Sequence, residues 1–274
     1  MVIGAQKCGT SSLASQLAAH PEICFCKIKE PGYFDRTEDW QAGLNEYHAL
    51  YAPEEGQICG EASTMYTFIP EWLGTHERLY AYNPGLKLIY VMRQPVERII
   101  SNYSHRVVRR TVEGPPEEAV LQNPTYVNRT RYGVQLRPYL ELFGRDQIQL
   151  ILFEEYVADQ PKTLTQICEF LGIAPPHPGE EQKDVVLHKT VGDWFISPTL
   201  NKLTYSDNVR WILDHVPSTL KRVARRGIGK KIEEKPEFSP ALKETLWRLL
   251  EDDVETVETL LGRRLDLWRQ GYTK

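Results

Sequence analysis

A glycine-rich turn near the start of the chain constrains the fold more than any other feature. Residues 2–13 read VIGAQKCGTSSL, which combines a short apolar run, two glycines and a run of hydroxyl residues. The apolar run predicts a strand, and SSLASQLAAH predicts a helix over 11–20 that stops before Pro21. A strand followed by a glycine turn and a helix directs backbone N–H groups and the positive helix end at one anion. The segment therefore predicts a phosphate-binding loop in an α/β fold.

The lysine of this loop does not lie where nucleoside-triphosphate loops have it. The triphosphate pattern G-x-x-x-x-G-K-[ST] places lysine directly after the second glycine. Here Gly4 and Gly9 have the same separation, but Thr10 follows Gly9 and the lysine is Lys7, inside the loop. The spacing alone leaves three alternatives open: a nucleotide-dependent kinase loop, a loop for another anion, and a strand–turn–helix without a ligand.

Strands and helices alternate along the rest of the chain. The apolar, β-branched run LKLIYVMR (86–93) is the clearest buried strand. Further strands are predicted over 23–26, 56–63 and 147–156, and further helices over 76–83, 95–110, 132–144, 162–173 and 241–262. The stretch 111–129 is predicted to be a loop, which is a candidate lid or substrate-contacting loop. Alternating strands and helices indicate a mainly parallel sheet with helices on both faces. No repeat or linker is evident, so we predict a single α/β domain over 1–274.

A second anion site is predicted where the strand 86–93 ends. Arg93 lies at its carboxyl end, where doubly wound sheets place their ligand-binding groups. Ser101 lies about two turns into the following helix, so the two side chains could bind one phosphate from two sides. The alternative is that Arg93 has only a structural role, in a salt bridge that caps the following helix. Because the strand ends in arginine and not aspartate, it offers no ligand for the Mg²⁺ of a triphosphate enzyme.

Acid–base chemistry is predicted at a carboxylate just after the second strand. KIKEPGYFD (27–35) places Glu30 there, where it could act as a general base near the phosphate loop. In isolation such a glutamate would be a surface charge. His105 follows Ser101 by four residues on the same predicted helix face, so it is a further catalytic candidate. His20 and His188 are weaker candidates for the base.

Composition excludes several classes of protein. The formal net charge of −4 disfavours a nucleic-acid binder, and a hydrophobic fraction of 41% disfavours disorder. No apolar run approaches the ~20 residues of a membrane-spanning helix, and the N-terminus does not resemble a signal peptide. The five cysteines form neither a disulfide framework nor a metal-binding pattern. We therefore predict a cytoplasmic, reducing compartment and no bound metal.

Taken together, these segments resemble the sulfotransferases that use 3′-phosphoadenosine 5′-phosphosulfate (PAPS), in particular the glycan and bacterial branch that includes heparan sulfate sulfotransferases. The family's 5′-phosphosulfate loop resembles GAQKCGTSSL, its 3′-phosphate segment resembles RQPVERIISNYSHR, and its catalytic-base segment resembles KEPGYFD. Later family segments resemble GEASTMY (60–66), LILFEEYVADQP (150–161) and GRRLDLW (262–268). The resemblance covers most of the chain in the family's order.

The resemblance implies a P-loop-like fold and transfer of a sulfuryl group from PAPS to a hydroxyl by in-line displacement. It implies catalytic roles for Lys7, Glu30 and His105. The residues it implies for donor binding are Gly4, Gln6, Lys7, Cys8, Gly9, Thr10, Ser11, Ser12, Arg93, Ser101 and Lys230. The last of these comes from RRGIGKK (225–231), the nearest counterpart of the basic run that closes over the nucleotide, in which Arg226 is an alternative.

The acceptor is not encoded in these segments. Glycan, lipid, carrier-tethered and small phenolic hydroxyls all stay open, because the acceptor should be chosen by loops. The family's luminal disulfide and membrane stem are not evident, which favours a bacterial or natural-product enzyme. The alternatives to a sulfotransferase are a P-loop kinase and a non-catalytic module that binds nucleotide or carbohydrate.

Overall fold

Short parallel strands form the centre of the computed structural model, which describes residues 1–36, 39–109, 111–175, 194–195, 230–231 and 236–272. The strands are β1 (Val2–Gly4), β2 (Ile23–Phe25), β3 (Ile58–Gly60), β4 (Leu88–Met92), β5 (Ile148–Leu152), β6 (Trp194–Phe195) and β7 (Lys230–Lys231). Strands β1, β4 and β5 pair in parallel in that order, and β2 pairs in parallel with β3. A parallel bridge between Val2 and Ala62 joins the two groups into the order β2–β3–β1–β4–β5. Strands β6 and β7 form a separate antiparallel pair.

Helices flank this sheet. They are α1 (Thr10–Ala18), α2 (Tyr33–Arg36), α3 (Leu44–His48), α4 (Thr75–Tyr82), α5 (Pro95–Val108), α6 (Pro116–Leu121), α7 (Thr125–Asn128), α8 (Tyr132–Phe143), α9 (Phe153–Ala158), α10 (Gln160–Leu171), α11 (Pro240–Leu261) and α12 (Asp266–Arg269). Every residue of β4 is buried. Because side chains alternate between the two faces of a strand, both faces of the sheet must be covered at its centre. The predicted parallel α/β fold is confirmed, whereas the single domain over 1–274 stays a prediction.

Two predictions about local structure are wrong. The strand predicted over 147–156 ends at Leu152, and α9 begins at Phe153. The apolar residues continue past Leu152, so the sequence does not show where the strand ends. The boundary is stabilised by residues distant in sequence: the carboxylate of Glu154 accepts from the Gln94 N–H at 2.8 Å and from the Trp268 indole N–H at 3.1 Å. The predicted loop over 111–129 contains the short helices α6 and α7, whose few residues give too little periodicity to detect.

Parallel topology places the predicted site residues at one edge of the sheet. The carboxyl ends of β1, β2 and β4 lead directly into the segments that contain Lys7, Glu30 and Arg93. In a parallel sheet these ends share an edge, where open α/β folds bind their ligands.

Candidate functional site

The donor loop, residues 4–9, connects β1 to α1 through two closely packed glycines. A Cβ at Gly4 would lie 2.4 Å from the Tyr90 ring, and one at Gly9 would lie 2.9 Å from the Phe153 ring. Gly9 also has a φ of +82°, which a residue with a side chain adopts only at a cost. Within the described part of the chain, five backbone N–H groups of this turn donate to no protein acceptor: those of Gln6, Lys7, Gly9, Thr10 and Ser11. The turn thus presents unpaired donors at a helix N-terminus, as a phosphate-binding loop requires.

Two residues of α5 that sequence reasoning missed bind the donor loop through Gln6. The Nε of Arg98 donates to the Gln6 carbonyl at 3.0 Å, and the amide of Asn102 donates to Gln6 Oε1 at 2.8 Å. The carbonyl and the following N–H of a trans peptide point in opposite directions, so this contact turns the N–H of Lys7 away from Arg98. The side chain of Gln6 therefore contacts α5, and its backbone helps to orient the loop.

Arg98 is a completely buried cation whose hydrogen bonds all go to neutral oxygens. It is 0% exposed and, besides Gln6, it donates to the Tyr126 carbonyl at 3.4 Å and to the Thr130 hydroxyl at 3.2 Å. Among the described residues, no carboxylate lies within ion-pair distance of its guanidinium. Burial lowers the pKa of Arg98, but a guanidinium stays charged in proteins. Its positive charge, which no ion pair within the described ranges neutralises, therefore lies next to the donor loop.

Lys7 lies in an unusually positive environment. Burial lowers the pKa of Lys7 to about 8, and the charges of three arginines lower it in the same direction: Arg98, Arg109 and Arg93. Its φ of +73° is rare for a residue with a side chain. Neighbouring cations repel one another unless an anion lies between them, so this arrangement favours a ligand that carries several negative charges.

The second predicted anion site lies next to the first. The guanidinium of Arg93 lies 4.9 Å from the centre of the Phe153 ring, the ring that also packs against Gly9. Its ion pair with Glu97, in the first turn of α5, is long, at 3.5 Å, so Arg93 makes the structural contact that was the alternative, while its binding of a phosphate stays a prediction. Ser101 is partly buried on α5, one turn after Arg98, and its hydroxyl makes no hydrogen bond with the described residues.

Glu30 lies beyond β2 in a strained backbone conformation. Its φ is +58°, and its N–H donates to the Ala62 carbonyl at 3.0 Å. The carboxylate accepts from Lys29 Nζ at 2.6 Å and from the Thr64 hydroxyl at 3.3 Å. With 30% of its side chain exposed, Glu30 is accessible to a ligand but fixed by protein contacts.

Other predicted residues occupy less direct positions. The Cys8 side chain is buried beneath the loop, 3.7 Å from the Tyr132 hydroxyl, and burial raises its pKa to about 11. Only its backbone can face a ligand. Thr10 and Ser12 are buried in the first turn of α1, whereas Ser11 is partly exposed.

The histidine candidates lie in different places. His105 is partly buried on α5, one turn after Ser101. The imidazole of His20 is hydrogen-bonded to the Ala174 carbonyl at 2.9 Å, at the opposite end of α1 from the donor loop, so it cannot be the base. His188 and Arg226 lie outside the described residues, as does the side chain of Lys230, whose backbone belongs to β7.

Two kinds of feature are absent from the described ranges. No group of three or more His, Cys, Asp or Glu side chains there is arranged to bind a metal ion. In the same ranges, no helix has both the length and the apolar character needed to cross a membrane. All five cysteines are free thiols.

Comparisons with known proteins point to one family. The chain is 30% identical over 188 residues to heparan sulfate glucosamine 3-O-sulfotransferase 3A1 of Mus musculus. The aligned region covers 63% of this chain and 45% of that protein. It is 26% identical over 244 residues to carbohydrate sulfotransferase 15 of Mus musculus, covering 64% and 43% respectively. The chain thus spans less than half the length of these curated relatives.

A solved structure and a family model match much more completely. The crystal structure of a sulfotransferase from Alicyclobacillus acidocaldarius superimposes with a TM-score of 0.66 at 28% identity, covering 98% of this chain and 97% of that one. These matches do not favour a kinase or a non-catalytic module. The family model described as a sulfotransferase domain matches residues 1–258, and the chain therefore belongs to the sulfotransferase domain family.

Proposed function

We propose that this chain transfers a sulfuryl group from PAPS, the donor that the family generally uses, to a hydroxyl acceptor. One observation supports this more than any other. Lys7 lies inside a loop of unpaired amides and experiences the charges of Arg93, Arg98 and Arg109. PAPS carries a phosphosulfate and a 3′-phosphate, so its several negative charges complement these positive groups.

The two parts of the donor would bind to different elements. The phosphosulfate would accept from the N–H groups of the donor loop and from Lys7, at the N-terminus of α1. The 3′-phosphate would bind Arg93 and Ser101, which lie at the end of β4 and on α5. Phe153 contacts both Gly9 and Arg93, so its ring fixes the separation of the two sites.

Lys7 and Glu30 would perform the chemistry. As the acceptor oxygen forms a bond to sulfur, the bond from sulfur to the bridging oxygen breaks and releases 3′,5′-ADP. Glu30 takes the proton of the acceptor hydroxyl, an effect that general bases supply at about 10²- to 10⁴-fold. Lys7 neutralises the negative charge that develops on the bridging oxygen. His105, on the helix that contains Ser101, would orient the sulfuryl group or assist Glu30.

Backbone strain supports these two assignments. In the described ranges, Lys7 and Glu30 are the residues other than glycine that have a positive φ. Each such conformation costs about 1–3 kcal/mol and persists where surrounding contacts impose it, often at functional sites. The sequence predicts the catalytic lysine and the base from their motifs alone, and backbone conformation has no part in that prediction. The positive φ of both residues is therefore independent support for the two roles.

Titration with 3′,5′-ADP tests the donor site. We expect 3′,5′-ADP to bind at least ~10-fold more tightly than 5′-AMP, because a charged hydrogen bond to the 3′-phosphate is worth about 1.5–3 kcal/mol. The preference should persist without Mg²⁺. Equal affinities, or a requirement for Mg²⁺ and ATP, would instead indicate a nucleotide-dependent kinase.

Transfer itself is tested with labelled PAPS and a panel of acceptors. Carbohydrate hydroxyls come first, because the names of two curated relatives specify heparan sulfate and carbohydrate. Lipid and carrier-tethered hydroxyls follow. Glu30→Gln should bind 3′,5′-ADP normally and transfer nothing, whereas a binding module would show no transfer in either form.

The five free thiols support a reducing compartment for this activity.

A further inference from the structure

The carboxylate of Glu30 has a buried partner as well as an exposed one. The Thr64 hydroxyl lies 3.3 Å from both Oε1 and Oε2 of Glu30 and donates to them. Thr64 is 1% exposed, whereas the side chain of Lys29 is 41% exposed. A long exposed side chain loses rotamer freedom when it is fixed in one ion pair, so such pairs constrain geometry weakly. Of the two partners, Thr64 is the one that can fix the direction of the carboxylate.

The position of Thr64 is set by β1, the strand that leads to Lys7. Just before Thr64, the Ser63 N–H donates to the Val2 carbonyl at 3.0 Å. One turn later, the Thr67 hydroxyl donates to the Ile3 carbonyl at 3.1 Å. The turn that contains Thr64 is thus attached to β1 on both sides of that residue.

The backbone around Glu30 is attached to the same segment. The Glu30 N–H donates to the Ala62 carbonyl at 3.0 Å, and the Gly32 N–H donates to the Ser63 hydroxyl at 3.2 Å. These contacts impose the positive φ of Glu30. Main chain and carboxylate of Glu30 are therefore both oriented by residues 62–64.

We propose that Thr64 is a positioning residue, whose hydroxyl directs the Glu30 carboxylate at the acceptor hydroxyl. This rests on the proposed function, in which Glu30 is the base. Each carboxylate oxygen has two lone pairs, so the contact with Thr64 leaves Glu30 able to accept the proton of the acceptor. Since the turn is hydrogen-bonded to β1 and the donor loop continues from β1, Thr64 fixes the base relative to Lys7.

Replacement of Thr64 by valine and by serine tests the proposal. Thr64→Val removes the hydroxyl and keeps a similar shape, and we expect kcat to fall roughly 10- to 100-fold, as misplacement of a catalytic group by about 1 Å does. The KM for PAPS and the calorimetric affinity for 3′,5′-ADP should stay within about twofold, because donor contacts are retained. Thr64→Ser, which keeps the hydroxyl, should restore most of kcat.

The matched control is Thr163→Val. Thr163, on α10, is also buried, but its hydroxyl donates to the carbonyl of Asp159 just before that helix, so kcat should not change. Unchanged kcat in Thr64→Val, equal losses in the valine and serine variants, or a parallel loss of 3′,5′-ADP affinity would each overturn the proposal. Glu30→Gln separates the two ideas: normal turnover there contradicts the base assignment, whereas an inactive Glu30→Gln with a normal Thr64→Val contradicts the role of Thr64 alone.

Discussion

Replacement of Gly9 by alanine should disturb stability and donor selectivity together. Two costs add at this position. An alanine at φ +82° costs about 1 kcal/mol relative to glycine, because its Cβ lies too close to the following carbonyl oxygen. Its Cβ would also lie 2.9 Å from the Phe153 ring, well inside ordinary contact distance, and such overpacking typically costs about 1–3 kcal/mol. The free energy of unfolding should therefore fall by about 2–4 kcal/mol.

A control variant separates these two costs. Gly262 caps the C-terminus of α11 with a similar left-handed conformation, φ +66°, but a Cβ there would meet nothing within 4 Å. Gly262→Ala should therefore lose only the conformational part, about 1 kcal/mol. Urea unfolding of both variants measures the difference. If Gly9→Ala is no more destabilised than Gly262→Ala, the reasoning from crowding is wrong.

The functional effect of Gly9→Ala follows from the other contact of Phe153. The ring can relieve the crowding only by moving, and the guanidinium of Arg93 lies over it at 4.9 Å. Displacement of Phe153 should therefore move Arg93 away from the proposed 3′-phosphate site. We expect the preference for 3′,5′-ADP over 5′-AMP to shrink in Gly9→Ala and to stay unchanged in Gly262→Ala, measured by calorimetry. A retained preference in a destabilised Gly9→Ala would refute the connection through Phe153.

Other predictions concern the positive groups around the loop. Because the pKa of Lys7 is lowered to about 8, Lys7 loses its proton above that pH. The affinity for 3′,5′-ADP should therefore fall between about pH 7 and 9.5, and binding in that range should take up protons. Lys7→Arg should flatten this pH profile, and a flat profile in the wild-type protein would contradict the prediction. Arg98→Met should lower stability by about 2–4 kcal/mol in urea unfolding, because buried acceptors on Gln6 and Thr130 lose their donor. Arg93→Met should lower affinity for 3′,5′-ADP by about 10-fold or more and leave 5′-AMP binding nearly unchanged.

The sequence contains enough information to predict the sheet edge and the groups that follow each strand. Residues directly after a strand are placed by topology, because parallel strands end at one edge. Lys7, Glu30 and Arg93 follow β1, β2 and β4 in this way, so their approximate location is predictable once the strands are recognised. Their roles come from the family resemblance and are still predictions.

Arg98 and Asn102 were missed because their burial depends on tertiary contacts. In sequence, Arg98 belongs to a charged helix and has the same appearance as a solvated surface residue. Its burial depends on Gln6 from the donor loop and on Tyr126 and Thr130 near α7, none of which is close in sequence. One signal was available: both residues share the buried stripe of α5 with Val96 and Ile99. A charged residue at a core position of an amphipathic helix indicates a buried polar network, which is costly unless its partners are in place.

Thr64 offers no comparable signal, since its contact with Glu30 crosses between two segments that only the sheet brings together. Because the sheet holds these loop segments together, the site can stay rigid although most of its groups lie on loops. The donor loop continues from β1, and the Ala5 N–H donates to the Val91 carbonyl at 2.8 Å, which attaches the loop to β4. The turn beside Glu30 is attached to β1 through Ser63. The proposed lysine and base are thus both positioned by the central strands, where burial on both faces permits little movement.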